Sequence, residues 1–281
     1  MYHYTAESGF KGILQSHELW LSDLQASNDP RDIQMGLDTL RRVTDEIGRK
    51  EYSSNNARVL AQMTMKMIEY FKDARCYTTC FTPNGDNINM WREYGGNGDG
   101  YAIGFRSRAI TDMHGRIYRV RYVDESSEEH LYNLISEVVK PIEIYGESIF
   151  RDAEKEVEIG TALISIVNSL KHFSWEYEGE IRLTYSSGNK PPPNNIPISV
   201  SLNGREKPWT PYKTRNSGNS EIKYHSLPFG KFIDDRNDHR EAIKEVVIGP
   251  KSALSEGDIR NLLSENGFFG VEIRKSACAF R

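Results

Sequence analysis

The stretch Trp175–Leu183, with the sequence WEYEGEIRL, constrains the fold of this chain more than any other segment. Its alternation favours a β-strand, in which successive side chains point to opposite faces. Glu178, Glu180 and Arg182 then share one face, while the apolar residues between them anchor the strand in a core. Two carboxylates beside a guanidinium tune one another's ionisation, which is typical of acid, base and charge-stabilising sites. The alternative is a solvated edge strand with a local ion pair.

Length and charge set broader bounds on the chain. Its 281 residues can bury a substantial core, and the net charge of −4 gives no general affinity for nucleic acid or anionic membranes. A local basic groove stays possible, because a total charge does not reveal it. The sequence has no signal-peptide pattern at Met1 and no apolar run of membrane-spanning length. We therefore expect a cytoplasmic protein with no membrane partner.

The cysteines are three in number, so they cannot form a dense disulfide framework. Cys76 and Cys80 lie in an alternating run that predicts a strand with both thiols on one face. No second Cys or His cluster lies nearby to complete a zinc site. We interpret the two residues as buried apolar thiols and predict no metal.

Strand and helix patterns alternate irregularly along the chain, which favours an α+β fold. The predicted strands are 2–5, 19–22, 76–81, 101–105, 116–122, 175–183, 222–227, 245–248 and 270–273. The predicted helices are 7–15, 30–50, 59–72, 90–94, 128–173 with a break before Pro141, and 252–265. We expect a single domain over residues 1–281, with a helical insertion at about 30–74 and a Pro-rich loop at about 189–220.

Two patterns have simple structural explanations. Met63, Met65 and Met67 are expected to pack in a core. The glycines at 95–100 follow a helix and precede a strand, which is the reverse of a phosphate-binding loop. They predict a tight turn instead.

Several motifs together resemble one bacterial family, domain of unknown function 2971. The matching segments occur in the same order over nearly the whole chain. They are YHYT at 2–5, GILQSHELWLSD at 12–23, ND at 28–29, CFT at 80–82, NMWREYG at 89–95, GYAIGF at 100–105, Lys171 with WEYEGEIRL at 175–183, and EVVIGP at 245–250.

That family in turn resembles the ADP-ribosyltransferase fold, which implies split antiparallel β-sheets, here with a helical insertion. The resemblance implies NAD⁺ as substrate, bound in the cleft between the sheets. His3 matches the first-strand position of that fold, the strand around Phe81 matches the middle position, and Glu180 matches the late glutamate. The spacing of Glu178 and Glu180 also resembles a paired-glutamate motif of some transferases. The predicted catalytic residues are Glu180 and Glu178 together with Arg182, whose charge can steady the pair or reach a pyrophosphate oxygen.

The same resemblance implies the residues that hold NAD⁺. His3 is expected to bond the adenosine ribose with Tyr4 and Thr5 alongside, although a lone N-terminal histidine is otherwise a surface residue. The predicted NAD⁺-binding residues are His3, Tyr4, Thr5, Phe81, Trp91 and Lys171. The two aromatic rings either contact nicotinamide or belong to the core. The lysine either contacts phosphate or ends its helix favourably.

The leading hypothesis is mono-ADP-ribosyl transfer from NAD⁺ to a protein or nucleic-acid acceptor by a bacterial toxin or phage-defence effector. An antitoxin or regulatory partner is then possible. The alternatives are an NAD glycohydrolase with the same site and a non-catalytic nucleotide- or nucleic-acid-binding module. A Mg²⁺-dependent nuclease ranks last, because Arg182 disfavours a cation there. Cations near the Pro-rich loop either line the path of an acidic partner or are solvated: Arg205, Lys207, Lys213, Arg215 and Lys223.

Overall fold

The computed structural model describes residues 1–27, 29, 31–188, 199–200, 206–207, 210–218, 220–233 and 236–279. The chain divides into two compact units. The first contains Met1–Asp23, Tyr77–Ile117 and Tyr177–Arg281, and the second contains Leu24–Cys76 and Tyr118–Glu176. The second unit therefore includes the predicted helical insertion together with a later segment that the sequence analysis did not group with it.

The first unit contains a four-stranded sheet in the order β1-β4-β15-β16. Its strands are β1 (Tyr2–Thr5), β4 (Tyr101–Phe105), β15 (Ile243–Ile248) and β16 (Glu272–Lys275). β4 pairs antiparallel with both β1 and β15, whereas β15 and β16 are parallel. All five residues of β4 are buried, because the strand lies inside the sheet and both of its faces are covered.

A six-stranded sheet has the order β11-β12-β2-β3-β8-β5. Its strands are β2 (Glu18–Asp23), β3 (Ala74–Phe81), β5 (Arg116–Arg119), β8 (Ile181–Gly188), β11 (Lys213–Ser217) and β12 (Ser220–Pro228). β12 pairs antiparallel with β11 and β2, and β2 pairs antiparallel with β3. Two further strand pairs are short: β9 (Ser199–Val200) with β10 (Glu206–Lys207), and β13 (Lys231–Ile233) with β14 (Arg236–Asp238).

Three helices of the first unit pack on the same apolar core as these sheets: α1 (Glu7–Ser16), α5 (Ser107–Thr111) and α9 (Glu256–Glu265). The short helix α4 (Ile88–Glu93) instead buries its apolar side chains in a separate cluster with Tyr4, Ala102 and Val247. As predicted, α1 buries Phe10, Ile13 and Leu14 on one face, which is the spacing of an amphipathic helix. α9 begins with a capping box between Ser255 and Asp258, which satisfies backbone donors at the start of that helix.

The second unit is mainly helical and has its own apolar core. Its elements are α2 (Asp32–Lys50), α3 (Ser54–Asp73), α6 (Glu128–Val139), α7 (Pro141–Tyr145), α8 (Ala153–Ser169), and the parallel pair β6 (Arg121–Val123) and β7 (Leu170–His172). Pro141 occupies the first turn of α7, where its missing N–H costs little. The predicted break before this proline is confirmed.

The mixed content of helices and antiparallel sheets confirms the α+β class. The predicted strand 116–122 is interrupted, because β5 and β6 belong to different sheets. The methionine prediction was wrong in part: Met63 is buried, but Met65 is 48% exposed. Residues two apart on a helix point in different directions, so one core face cannot hold both.

Some predictions concern residues that the structure does not describe. Asn28 and Pro30 of the predicted helix cap lie outside the described residues, as do Arg205 and most of the Pro-rich loop. Within the described part of the chain, no helix combines the length and the apolar character needed to cross a membrane.

Candidate functional site

Strands from the two sheets of the first unit meet at one point. Tyr2 of β1 and Thr82, which directly follows β3, exchange backbone hydrogen bonds of 2.7 and 2.9 Å. One residue further along β1, the His3 ring nitrogen Nδ1 lies 2.9 Å from the carbonyl oxygen of Cys80. The first-strand histidine therefore lies beside the end of β3.

The His3 hydrogen bond determines which ring nitrogen carries the proton. A carbonyl oxygen can only accept, so Nδ1 donates and Nε2 of the neutral ring is an acceptor. Burial lowers the pKa of His3 and outweighs the opposing effect of the Cys80 carbonyl. The ring is therefore neutral near pH 7, and Nε2 can accept a hydrogen bond from a hydroxyl group.

The glutamate-rich segment has a different local structure from the predicted strand. Phe173–Glu178 forms a 3-10 helix, Gly179 has φ +53°, and β8 begins only at Ile181. A left-handed φ suits glycine because it has no Cβ to clash with the backbone. The prediction that Glu178 lies in one continuous strand with Arg182 was therefore wrong. The glycine redirects the chain between the two glutamates.

Glu180 and Arg182 form a buried bidentate ion pair. Arg182 Nε donates to Glu180 Oε1 at 2.7 Å, and Nη2 donates to Oε2 at 3.2 Å. The two residues are 4% and 1% exposed, and β8 lies between β3 and β5 in the sheet. The alternative of a solvated edge strand is therefore wrong. A bidentate contact fixes both the position and the orientation of a carboxylate.

The thiol of Cys80 also contacts this carboxylate. Its Sγ donates to Glu180 Oε1 at 2.8 Å. Cys76 is buried as predicted, but Cys80 is exposed, so the prediction of an apolar buried thiol was wrong for the second residue. Because His3 bonds the carbonyl group of Cys80 and Glu180 bonds its thiol, this residue connects the two predicted site residues.

Tyr94 is a second polar residue that the sequence analysis did not place at the site. Its hydroxyl donates to Glu178 Oε1, and that glutamate is 3% exposed. Burial, followed by the negative charge of Glu178, raises the pKa of Tyr94. The tyrosine directly follows α4, and it belongs to the NMWREYG motif quoted above. The motif was the available signal, but sequence alone did not reveal its partner.

Tyr4 and Trp91 have structural partners of their own. The Tyr4 hydroxyl donates to the carbonyl of Asn84 and accepts from the Asn87 backbone N–H, both at 3.0 Å. The Trp91 ring meets Tyr4 edge-on at 4.8 Å, and its indole N–H donates to Asp86 at 2.8 Å. Trp91 is fully buried. A ligand could stack on this ring only if the surrounding loop moved, so we assign both aromatics to holding the loop 84–91.

Phe81 and Thr5 lie near His3. Phe81 is 2% exposed, and its ring centroid lies 5.8 Å from that of His3. Thr5 ends β1 opposite Tyr101 and is partly buried. The packing of Phe81 supports the position of the imidazole, whereas its predicted contact with nicotinamide stays a prediction.

Lys171 belongs to the second unit and not to the one that contains Glu180. It lies in β7 opposite Tyr122, is buried, and places its ammonium group 4.9 Å from the centre of the Trp175 ring. α8 ends at Ser169, so the alternative in which Lys171 ends its helix was wrong. Its predicted phosphate contact stays a prediction.

The described part of the chain contains no evident set of metal ligands. Among those residues, no group of three or more His, Cys, Asp or Glu side chains is arranged to hold a metal ion. Both oxygens of Glu180 accept hydrogen bonds from Arg182.

Comparison with known proteins gives one match. Residues 90–183 match the family described as "Protein of unknown function (DUF2971)". No curated protein and no solved structure matches the chain significantly. The matched segment contains Tyr94, Glu178, Glu180 and Arg182, whereas His3 and Cys80 precede it. The resemblance predicted from the motifs is confirmed over residues 90–183, which match the model of this family.

Proposed function

We propose that this protein transfers ADP-ribose from NAD⁺ to a macromolecular acceptor, with a fold of the ADP-ribosyltransferase type. The observation that carries the proposal is the buried Glu180 carboxylate. Arg182 and the Cys80 thiol hold it, and the carbonyl group of Cys80 holds His3. A first-strand histidine beside a late glutamate is the pairing that the resemblance implies.

The reaction depends on a carboxylate that stabilises positive charge on the sugar, and it does not require a strong acid to protonate the leaving group. When the bond between ribose C1′ and nicotinamide breaks, nicotinamide leaves with the electron pair and the sugar becomes oxocarbenium-like. A fixed carboxylate stabilises that positive charge without reorganising. Glu180 is fixed in this sense, because Arg182 binds it through two hydrogen bonds. The acceptor nucleophile then forms the new bond to C1′, and its proton passes to a glutamate carboxylate.

His3 contributes binding in this proposal. Its Nδ1 proton is committed to the Cys80 carbonyl, so Nε2 is available to accept a hydrogen bond from a ribose hydroxyl. Glu178 is held by Tyr94 and orients the acceptor. The two glutamates thus have different partners, which assigns them different roles.

Nicotinamide release from NAD⁺ tests the proposal. The purified protein is assayed with and without bacterial lysate, beside Glu180→Gln, which keeps the side-chain shape and removes its charge. Loss of a catalytic carboxylate lowers the rate by about 10²-fold or more. Glu245→Gln is a matched control, because Glu245 is 8% exposed and accepts a 2.7 Å hydrogen bond from Arg274. The control should retain its rate, and circular dichroism must show that both variants are folded.

The outcomes separate the candidate functions. Lysate-dependent release that Glu180→Gln abolishes supports transfer, and a labelled acceptor can then be isolated. Release without lysate indicates hydrolysis of NAD⁺ by the same site. If the folded protein releases no nicotinamide under either condition, the catalytic proposal fails, and a non-catalytic binding module is the better hypothesis.

A further inference from the structure

The six-stranded sheet has one face that packs in the apolar core and an opposite face that also has polar and charged side chains. On β2, Leu19 and Leu21 are buried in the main core, so Trp20 and Ser22 point to the opposite face. On β8, Leu183 is likewise in the core and Arg182 points away from it. We call this second face the outer face of the sheet.

Trp20 forms an exposed aromatic platform on the outer face. It is 48% exposed, although large apolar side chains are usually more deeply buried. Its ring stacks on Tyr224 of the neighbouring β12, with the centroids 4.5 Å apart and the planes inclined by 29°. Tyr224 is only 8% exposed, so the tyrosine supports the tryptophan from beneath. The platform is built on the paired strands β2 and β12.

Cationic groups accompany the platform. The guanidinium carbon of Arg215 lies 5.9 Å from the centre of the Trp20 ring, and its Nη2 donates to Ser22 Oγ at 3.2 Å. Lys213 is exposed and lies opposite Tyr224 in the β11–β12 register. The acidic Glu18 is also on this face, where it accepts a hydrogen bond from Ser226 and remains charged. An exposed ring with cations beside it is complementary to a base and its phosphate.

The platform shares its face with the candidate catalytic carboxylate. Ser22 lies opposite Thr78 of β3, and the Thr78 hydroxyl lies 3.1 Å from the hydroxyl of Thr184 on β8. Thr184 is two residues from Arg182, so both point to the outer face. A row of polar side chains therefore runs across the sheet from the platform to the residue that holds Glu180, and Thr78, Thr184 and Arg182 in it are buried. All of these residues belong to the first unit.

We propose that Trp20, Tyr224, Arg215 and Lys213 bind single-stranded nucleic acid, with a base stacked on Trp20 and a phosphate at the two cations. Stacking tolerates any base, so little sequence preference is expected. The binding step stands independently of catalysis. The further statement that this strand is the acceptor of ADP-ribose rests on the proposed function.

The binding test uses fluorescence anisotropy of labelled oligothymidylate and oligouridylate, without NAD⁺. Trp20→Ala should raise Kd by about 5- to 150-fold, because a stacked base contributes about that factor. Trp20→Phe keeps a ring and should lose less. Phe269→Ala is the matched control, since Phe269 is another exposed aromatic of the first unit, at 68%. It should bind like the unchanged protein.

A second measurement separates the phosphate contact from the stacking contact. Arg215→Gln should reduce the slope of log Kd against log salt concentration by about 1, which corresponds to the loss of one phosphate contact. Arg260→Gln changes an exposed arginine on α9 and should leave that dependence unchanged. Thermal unfolding of each variant must match that of the unchanged protein. Should Trp20→Ala unfold, Trp20→Phe and the salt dependence of Arg215→Gln still decide the question.

Three results would overturn the proposal. One is the absence of oligonucleotide binding at low salt, which would favour a protein acceptor. Another is that Trp20→Ala and Phe269→Ala weaken oligonucleotide binding equally. The third is a Trp20-dependent affinity for NAD⁺ in the absence of any for oligonucleotides, which would make the platform part of the NAD⁺ site. Oligonucleotide binding without nicotinamide release would keep this proposal and refute only the catalytic one.

Discussion

Removing both members of the Glu180–Arg182 pair should destabilise the protein by less than the sum of the two single losses. The pair is almost fully buried and is joined by hydrogen bonds of 2.7 and 3.2 Å. Breaking a buried pair leaves a charge without its partner, at a cost of about 3–5 kcal/mol in the free energy of unfolding. Glu180→Gln leaves the guanidinium in this position, and Arg182→Met leaves the carboxylate.

The double variant measures how strongly the two side chains interact. If the residues were independent, the two losses would add to about 6–10 kcal/mol. Because the double variant contains neither charge, its loss should be smaller than that sum by about 1–3 kcal/mol. Urea unfolding followed by circular dichroism gives the four free energies of the cycle.

An exposed pair provides the control for this cycle. Arg240 binds Asp238 with two hydrogen bonds of similar length, but its side chain is 68% exposed. Arg240→Met should therefore change the free energy of unfolding little, because solvent screens exposed pairs. The reasoning is refuted if the single variants at Glu180 and Arg182 cost no more than this control. Strict additivity in the double variant would also refute it.

Three further predictions concern the residues around the pair. His3→Gln keeps a donor for the Cys80 carbonyl and should reduce the loss of stability on acidification. Burial lowers the pKa of His3 in the folded protein. Below about pH 6.5 the unfolded chain therefore takes up a proton that the folded protein does not, and this destabilises the folded state. Melting temperatures measured across that pH range check this, and an unchanged slope would contradict it. Tyr94→Phe removes the hydroxyl that donates to buried Glu178 and should cost about 1–3 kcal/mol by urea unfolding; a neutral result would mean that this hydrogen bond is dispensable. Gly179→Ala should lower the free energy of unfolding by about 1–2 kcal/mol, because φ at this residue is +53°. The control is Gly12→Ala in α1, where the added Cβ meets no neighbouring atom, and it should not destabilise the protein in thermal unfolding. Equal effects of the two substitutions would exclude backbone strain at Gly179.

Local patterning predicted the elements well where the interaction that forms them is itself local. The apolar spacing in α1 identified its buried face, and alternation in β8 correctly separated buried Leu183 from Arg182 on the opposite face. These predictions succeed because periods of 3.6 and 2 residues follow directly from helix and strand geometry. The motifs also indicated the right family over residues 90–183.

Predictions from local patterning failed where the same amino-acid sequence is compatible with two conformations. The run WEYEGEIRL alternates as a strand does, yet its first half is a 3-10 helix that ends at Gly179. A glycine is compatible with both structures, and the 3-10 helix places Glu178 where it accepts a hydrogen bond from Tyr94. Met65 was misplaced for a similar reason, because composition gave no information about which helix face is buried.

The sequence by itself determined the types of most elements, the α+β class and the presence of two glutamates and an arginine close together. Only the tertiary structure decided what surrounds them. Cys80 and Glu180 are 100 residues apart, and His3 and Cys80 are 77 apart, yet each pair is in direct contact. Such contacts depend on which strands are neighbours in a sheet. Strand order follows from burial of the whole set of apolar faces, and no local period in the sequence records it.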